Sequence, residues 1–327
     1  MKPTVSIIVP CYNEQETIRL LLDAICAQDY PLDRLEVVIA DGLSSDRTRE
    51  QIAVFQKEKP GLSVRVVDNT RRTIPAALNR AIEAAEGEWI VRLDGHSKPA
   101  PDYVSRCVSA LEQGLGDNVG GAWDIQPAGP DWQARSIAAA AAHPLGVGDA
   151  RYRIGGPAQE VDTVPFGSFS RSLIERVGPF DETLLTNEDY EFNARIRRSG
   201  GRVWMDPSIR SVYFARSTFA DLARQYWRYG YWKARMLRRY PNTLRWRQFL
   251  PPAFVFSLAV LALLSLVLPA ARVILLLLAG VYGLTLLLAG FQAALKKRDP
   301  GLLLGLPLAI GIMHFSWGSA FLWSLLR

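Results

Sequence analysis

Three apolar stretches close the chain, at roughly residues 252–268, 273–295 and 301–325, and almost no charge interrupts them. Each approaches the ~20 residues that a helix needs to cross a hydrocarbon core. One such stretch could be a buried core helix, but three in succession predict a C-terminal transmembrane region of three helices. Pro269-Ala270-Ala271-Arg272 is too short for more than a tight turn between the first two, and Lys296, Lys297 and Arg298 divide the second from the third. Arg235, Arg238, Arg239, Arg245 and Arg247 precede the first stretch. By the basic-residue bias they belong with the Lys296 cluster on the cytoplasmic face. Three crossings would then leave Arg327 outside. The short apolar run 5–9 ends at Pro10 and is too short for a signal-peptide core, so the polar part is expected in the cytoplasm, as one face of a multi-pass inner-membrane protein. His314 inside the third stretch is expected to make an interhelical hydrogen bond.

This division explains the composition. The 49% hydrophobic content averages two unlike halves, and the net charge of +6 comes largely from basic residues between 216 and 247. Basic residues beside an apolar block suit anionic lipid headgroups or a phosphorylated ligand, not a nucleic-acid groove. Cys11, Cys26 and Cys107 lack metal-ligand spacing and read as inert thiols.

The first 215 residues alternate between β-branched runs and helical periodicity. Strands are expected at 5–9, 35–40, 63–67 and 89–93, with helices after the first and over 46–58 and 75–85. Alternation of this kind predicts an α/β domain with a mostly parallel sheet covered on both faces. Ligands of such sheets sit beyond the carboxyl ends of the strands. Tyr12 and Glu14, Asp41, and Asp94 to His96 fall there. No Gly-x-Gly-x-x-Gly follows the first strand, which argues against a dinucleotide dehydrogenase.

Three constellations could carry chemistry. Asp94-Gly95-His96 reads either as a plain turn or as a carboxylate and an imidazole holding a divalent cation on a diphosphate, a donor pair that suits Mn2+ better than Mg2+. Glu188-Asp189 opens a helix. Thr186 could be its N-cap with Asp189 closing a capping box, or Asp189 could be a general base, and the two readings are compatible. Thr218 and Asp221 start a further helix bearing Gln225, Tyr226, Arg228 and Tyr229. A basic, aromatic helix before a membrane segment reads as an interfacial anchor, or as the source of an arginine for a leaving diphosphate.

In order and spacing, these residues resemble the family 2 glycosyltransferases, inverting enzymes with the GT-A fold, over most of residues 3–240. Pro10-Cys11-Tyr12-Asn13-Glu14 is similar to the motif lining the nucleotide pocket, and Asp41 matches the aspartate that meets base or ribose. Asp94-Gly95-His96 stands where the family has Asp-x-Asp, so a histidine replaces a metal-binding carboxylate. The stretch 186–201 resembles the acidic motif, and Asp189, beside Glu188, is by that match the base. Gln225 to Tyr229 looks like Gln-x-x-Arg-Trp with tyrosine in the last place, and no histidine shortly precedes it. The nearest subset is the glucosyltransferases that elongate lipid-linked repeat units of succinoglycan-type exopolysaccharides.

The resemblance implies a GT-A-type catalytic domain over 1–215, a basic aromatic interfacial region over 216–249 and the transmembrane region over 250–327. It implies donor contacts at Pro10, Tyr12, Glu14, Asp41 and Asp94, catalytic roles for Asp189, Glu188, Arg228 and Gln225, and Mn2+ or Mg2+ on Asp94 and His96. The reaction it implies moves glucose or a similar hexose from a UDP-sugar to a polyprenyl-diphosphate-linked saccharide. Transfer onto polyprenyl phosphate is the nearer alternative. A non-catalytic nucleotide-sugar-binding membrane protein is the more remote one.

Overall fold

A computed structural model describes residues 4–327; Met1-Lys2-Pro3, the lead-in to the first apolar run, lies outside the described residues. The chain forms two compact units, Met1–Asp124 with Gly155–Tyr213, and Ile125–Ile154 with Phe214–Arg327.

The first unit is built on a sheet of nine strands among the described residues: β1 (Val5–Cys11), β2 (Leu35–Asp41), β3 (Ser63–Asp68), β4 (Trp89–Arg92), β5 (Lys98–Pro99), β6 (Asn118–Gln126), β7 (Gln159–Glu160), β8 (Ser168–Ser170) and β9 (Val203–Phe214). The order is β3-β2-β1-β4-β8-β6-β9-β5, with β7 on β9. β1 pairs in parallel with β2 and β4, and β2 with β3, as the alternating pattern predicts. Beyond β4 the pairing turns antiparallel, through β8 and β6 and again at β5 and β7 on β9.

The central strands carry apolar residues on both faces because both are covered. Ile7, Val9, Val37 and Ile39 point into one core with the helices Ile18–Cys26, Thr48–Glu58 and Tyr103–Glu112. Ile8, Val38, Ala40 and Ile90 point into the other, against Leu78 and Ala81 of the helix Ile74–Ala84 and Phe192 of the helix Glu188–Arg198. Alternate residues serving opposite cores fix the register, since a one-residue slip would exchange the two sets. Each fully buried Ile or Val contributes about 1.5–3 kcal/mol.

The second unit is helical. Its helices include Trp132–Ala141, Phe219–Arg239, Trp246–Leu264, Pro269–Lys297 and Leu302–Leu325. The last three are long and apolar enough to cross a membrane. Thr218 caps the helix Phe219–Arg239 by accepting from the Asp221 amide at 3.1 Å, as its sequence predicts. The first apolar helix begins at Trp246, before the expected 252, with the Arg245 amide donating to Gln248 Oε1 at 3.2 Å. Pro252 has no N–H for the Gln248 carbonyl, which accepts from Trp317 Nε1 at 3.1 Å instead. His314 makes the expected interhelical bond: Nε2 donates to the Leu145 carbonyl at 2.8 Å, leaving Nδ1 to accept from Tyr282 Oη at 3.0 Å.

Candidate active site

Parallel pairing brings the carboxyl ends of β1, β2 and β4 to one edge of the sheet, and with them Pro10, Tyr12, Glu14, Asp41, Asp94 and His96. Pro10 lies within β1 opposite Ala40. After β4, the turn at Asp94 is closed by the Ser97 amide and hydroxyl, both donating to the Asp94 carbonyl, at 2.9 and 2.7 Å.

The residue that organises this edge is Arg92, the last of β4, which the sequence reading does not single out. Its side chain is 3% exposed and serves three carboxylates. Nε donates to Asp94 Oδ1 at 3.1 Å, Nη2 to Glu188 Oε1 at 3.0 Å, and Nη1 to Asp189 Oδ1. Burial works against its charge, but Asp189, Asp94 and Glu188 outweigh burial and hold the guanidinium firmly protonated. Two separate sequence motifs are thereby joined by one side chain.

Asp189 reaches this position from the helix Glu188–Arg198. The predicted capping box does not form: the N-cap is Asn187, in a left-handed turn at φ 70°, and the Thr186 hydroxyl donates to the Leu185 carbonyl. The helix therefore starts one residue later than the capping box requires, and the Asp189 carboxylate turns to Arg92. The helix is held from within. Phe192 stacks on Phe180 at 4.5 Å, and Glu191 binds Arg195, whose guanidinium donates to the Gly178 and Pro179 carbonyls at 3.0 and 2.8 Å. Acidic residues in its first turn also suit the helix dipole. Asp189 keeps 28% of its side chain exposed. Burial pushes its carboxyl above the usual range; Arg92 opposes this, and repulsion from Glu188 and Asp94 adds to it. A carboxylate raised in this way and still open to solvent is fit for general-base work near neutral pH.

His96 and Glu14 meet: Nδ1 lies 3.0 Å from Glu14 Oε1, and the Thr17 hydroxyl donates to Glu14 Oε2. Among the described residues no three His, Cys, Asp or Glu side chains converge as a metal cage. The donor chemistry of Asp94 and His96, one carboxylate and one imidazole, fits a divalent cation that takes its other ligands from a diphosphate and water.

The loops after β1 and β2 are knitted together. The Asn13 amide donates to Ser44 Oγ at 2.8 Å, and the Ser45 amide to Asn13 Oδ1 at 2.9 Å. The Glu14 amide donates to Thr48 Oγ1 at 2.8 Å, and the Gln15 amide to Asp46 Oδ2 at 3.1 Å. Asp41 is fully buried and accepts from the Ser44 amide at 3.0 Å and Arg49 Nε at 2.6 Å. Tyr12 stands 47% exposed beside Gly42, with the Arg72 guanidinium 5.9 Å from its ring centre. Cys11 and Cys107 are buried, and burial raises both thiols, Cys107 to about 12, as inert thiols require. Gln225 and Arg228 belong to the second unit, on the helix Phe219–Arg239; Gln225 Nε2 donates to Tyr229 Oη at 3.0 Å, and Arg228 is exposed.

The sequence profile described as glycosyl transferase family 2 matches residues 6–178. Succinoglycan biosynthesis protein ExoA of Rhizobium meliloti (strain 1021) is 32% identical over 96% of this chain and 93% of its own. A dolichyl N-acetyl-α-D-glucosaminyl phosphate 3-β-D-2,3-diacetamido-2,3-dideoxy-β-D-glucuronosyltransferase of Methanococcus voltae is 27% identical over 95% of this chain and 93% of its own. Among solved structures, the mannosyltransferase PcManGT of Pyrobaculum calidifontis, in complex with GDP-Man and Mn2+, superposes with a TM-score of 0.62 at 24% identity, covering 96% of this chain and 87% of that one.

Proposed function

The chain belongs to glycosyl transferase family 2, and from that premise we propose an inverting transfer of glucose or a similar hexose from a UDP-sugar to a polyprenyl-diphosphate-linked saccharide, in the synthesis of an exopolysaccharide or other cell-surface polysaccharide. It is a glycosyltransferase with the GT-A fold, so the proposal concerns donor, acceptor and residue roles. The acceptor is supported by the M. voltae relative, named for a lipid-linked sugar, and by the three helices apolar enough to hold the chain at a membrane.

The observation that carries the mechanism is the Arg92 hub, which sets Asp189 beside Asp94 and orients its carboxylate through Oδ1. Asp189 takes the proton from an acceptor hydroxyl as that oxygen attacks the anomeric carbon. The bond from that carbon to the diphosphate oxygen breaks, its electron pair leaves with the nucleoside diphosphate, and configuration inverts. Glu188, through its bond to Arg92, is a positioning residue for this carboxylate. Pro10, Tyr12 and Glu14 are assigned to the donor side at the strand ends, and Asp41, assigned there by its motif, is fully buried beneath them and braces Ser44 and Arg49. Asp94 and His96 would hold Mn2+ or Mg2+, and a bound cation there neutralises charge on the diphosphate. For Gln225 and Arg228, assigned to the departing diphosphate, the support is the sequence motif.

The test is transfer of labelled sugar from a panel of UDP-sugars and GDP-mannose into native membranes with Mn2+ or Mg2+, followed by identification of the labelled lipid. Label on a polyprenyl-diphosphate saccharide from a UDP-sugar bears out the reading. Label on polyprenyl phosphate alone replaces the acceptor, and transfer from GDP-mannose alone replaces the donor.

A further inference from the structure

We infer that the third apolar helix, Leu302–Leu325, does not cross the bilayer but lies along its surface on the side that holds the sheet, so that Arg327 ends on that side and not on the opposite one. The inference is independent of which sugar is transferred. It changes the three-crossing topology read from hydropathy into a two-helix hairpin with an in-plane helix.

Two segments of the second unit lie over that helix. The helix Phe219–Arg239 packs beside it in the same direction. Gly230 comes so close to the Trp317 carbonyl that a Cβ there would sit 2.3 Å from the oxygen. Eight residues further on, Arg238 donates to the Ser324 carbonyl at 2.8 Å. The two helices hold 21 and 24 residues, roughly 32 and 36 Å at 1.5 Å per residue, so they are matched in length. The covering helix bears exposed Arg224, Arg228, Arg238 and Arg239, at both ends and in the middle. A helix with that outer face cannot stand in hydrocarbon, so both of its ends lie on one side. The third helix runs with it from Trp317 to Ser324 and so reaches its end on that side.

A second segment covers the other half. Residues 125–154 leave the sheet at β6 and return to it with no apolar crossing between, so they remain on the sheet's side. Arg135 Nε in this segment pairs with Asp299 at 2.7 Å. A Cβ on Gly305 would lie 2.0 Å from Ser136 Oγ, and the Leu145 carbonyl accepts from His314. Polypeptide from the sheet's side therefore touches the third helix from its start to residue 314, and again from 317 to 325.

Burial agrees. In its most apolar window this helix is 39% buried, against 11% and 17% for Trp246–Leu264 and Pro269–Lys297. What it leaves open is apolar, with Leu304 66% and Phe315 44% exposed. An apolar face is thereby left for the acyl region, beneath a cover of polypeptide from the sheet's side.

Cysteine labelling of the full chain in native membranes tests this. In a Cys26→Ser background, where Cys11 and Cys107 are buried, single Lys57→Cys and Arg327→Cys variants are treated with a membrane-impermeant maleimide in sealed vesicles of each orientation, before and after detergent. Lys57 is an exposed residue of the first unit. The expected result is that both cysteines react in the same vesicles and both are shielded in the inverted ones until detergent is added. Reaction of Arg327→Cys in the vesicles that shield Lys57→Cys overturns the inference and restores three crossings.

Discussion

Replacing Arg92 by methionine keeps the aliphatic stem of the side chain and removes the guanidinium, which among the described residues is bonded to Asp94, Glu188 and Asp189 together. The three carboxylates are 21%, 9% and 28% exposed, so water screens them poorly once the guanidinium is gone. Breaking a buried ion pair costs about 3–5 kcal/mol, and the partial exposure of Asp94 and Asp189 places this one near ~3. For a domain of this size that corresponds to a fall in Tm of roughly 6–12 °C. The deficit has a pH signature. In the wild type Asp189 already has a raised carboxyl despite Arg92, and without Arg92 it rises further. A folded-state pKa above the unfolded one means that the folded chain binds a proton the unfolded chain lacks, so stability falls as pH rises through that window. Asp189 is raised to about 8 in the wild type, so the two chains lose stability in parallel below that value and the variant alone goes on losing it above; its deficit should grow between about pH 8 and pH 9.5. Tryptophan fluorescence melts of detergent-solubilised chain at the two pH values measure it, and Arg92→Lys should recover part of the loss because a point charge replaces a fork. An unchanged Tm, or a deficit of equal size at both pH values, would refute the hub as an electrostatic centre.

Asp189→Asn is expected to lower turnover by about 10²–10⁴-fold while donor affinity stays within a few-fold, measured by labelled transfer and by equilibrium nucleotide-sugar binding. With Asp189 raised, the acid limb of kcat/KM should lie well above the ordinary carboxylate value of ~4; a limb at 4 would remove Asp189 as the base. His96→Asp should retain cation-stimulated activity better than His96→Ala, and full activity in both would take His96 out of the metal site. Gly305→Ala should destabilise the second unit by about 1–3 kcal/mol through overpacking on Ser136, with recovery in Gly305→Ala/Ser136→Gly.

The parallel half of the sheet was legible because each strand is an uninterrupted β-branched run and each following helix repeats apolar residues every three or four positions. Asp94 was legible as a candidate because it follows such a strand almost directly, and Asp189 because it stands in the acidic first turn of a helix. Arg92 was not. A lone arginine closing Trp89-Ile90-Val91 looks like the polar end of a strand, and no spacing reveals that three acids from two distant segments surround it. The antiparallel strands β6 and β8 were also hidden, since Gly120-Gly121 dilutes one and the other is three residues long. The capping box failed because Thr-x-x-Asp spacing says nothing of a left-handed Asn187 inside it. Hydropathy found all three apolar helices, but it averages along a segment and does not register which neighbours share the length of that segment.

The bonds that tie the loop after β1 to the loop after β2 have a thermodynamic consequence for the donor side. Loops that must be ordered by a ligand subtract their lost conformational entropy from its affinity. Here that entropy is lost during folding, when Asn13, Ser44 and Ser45 close on one another, so under the proposed donor assignment a nucleotide arriving at Tyr12 would meet a surface that is already set. Discrimination among nucleotides on such a surface depends on fit and contact, with little drawn from rearrangement, and a rigid floor leaves the sugar and the acceptor as the parts of the complex that still have to move.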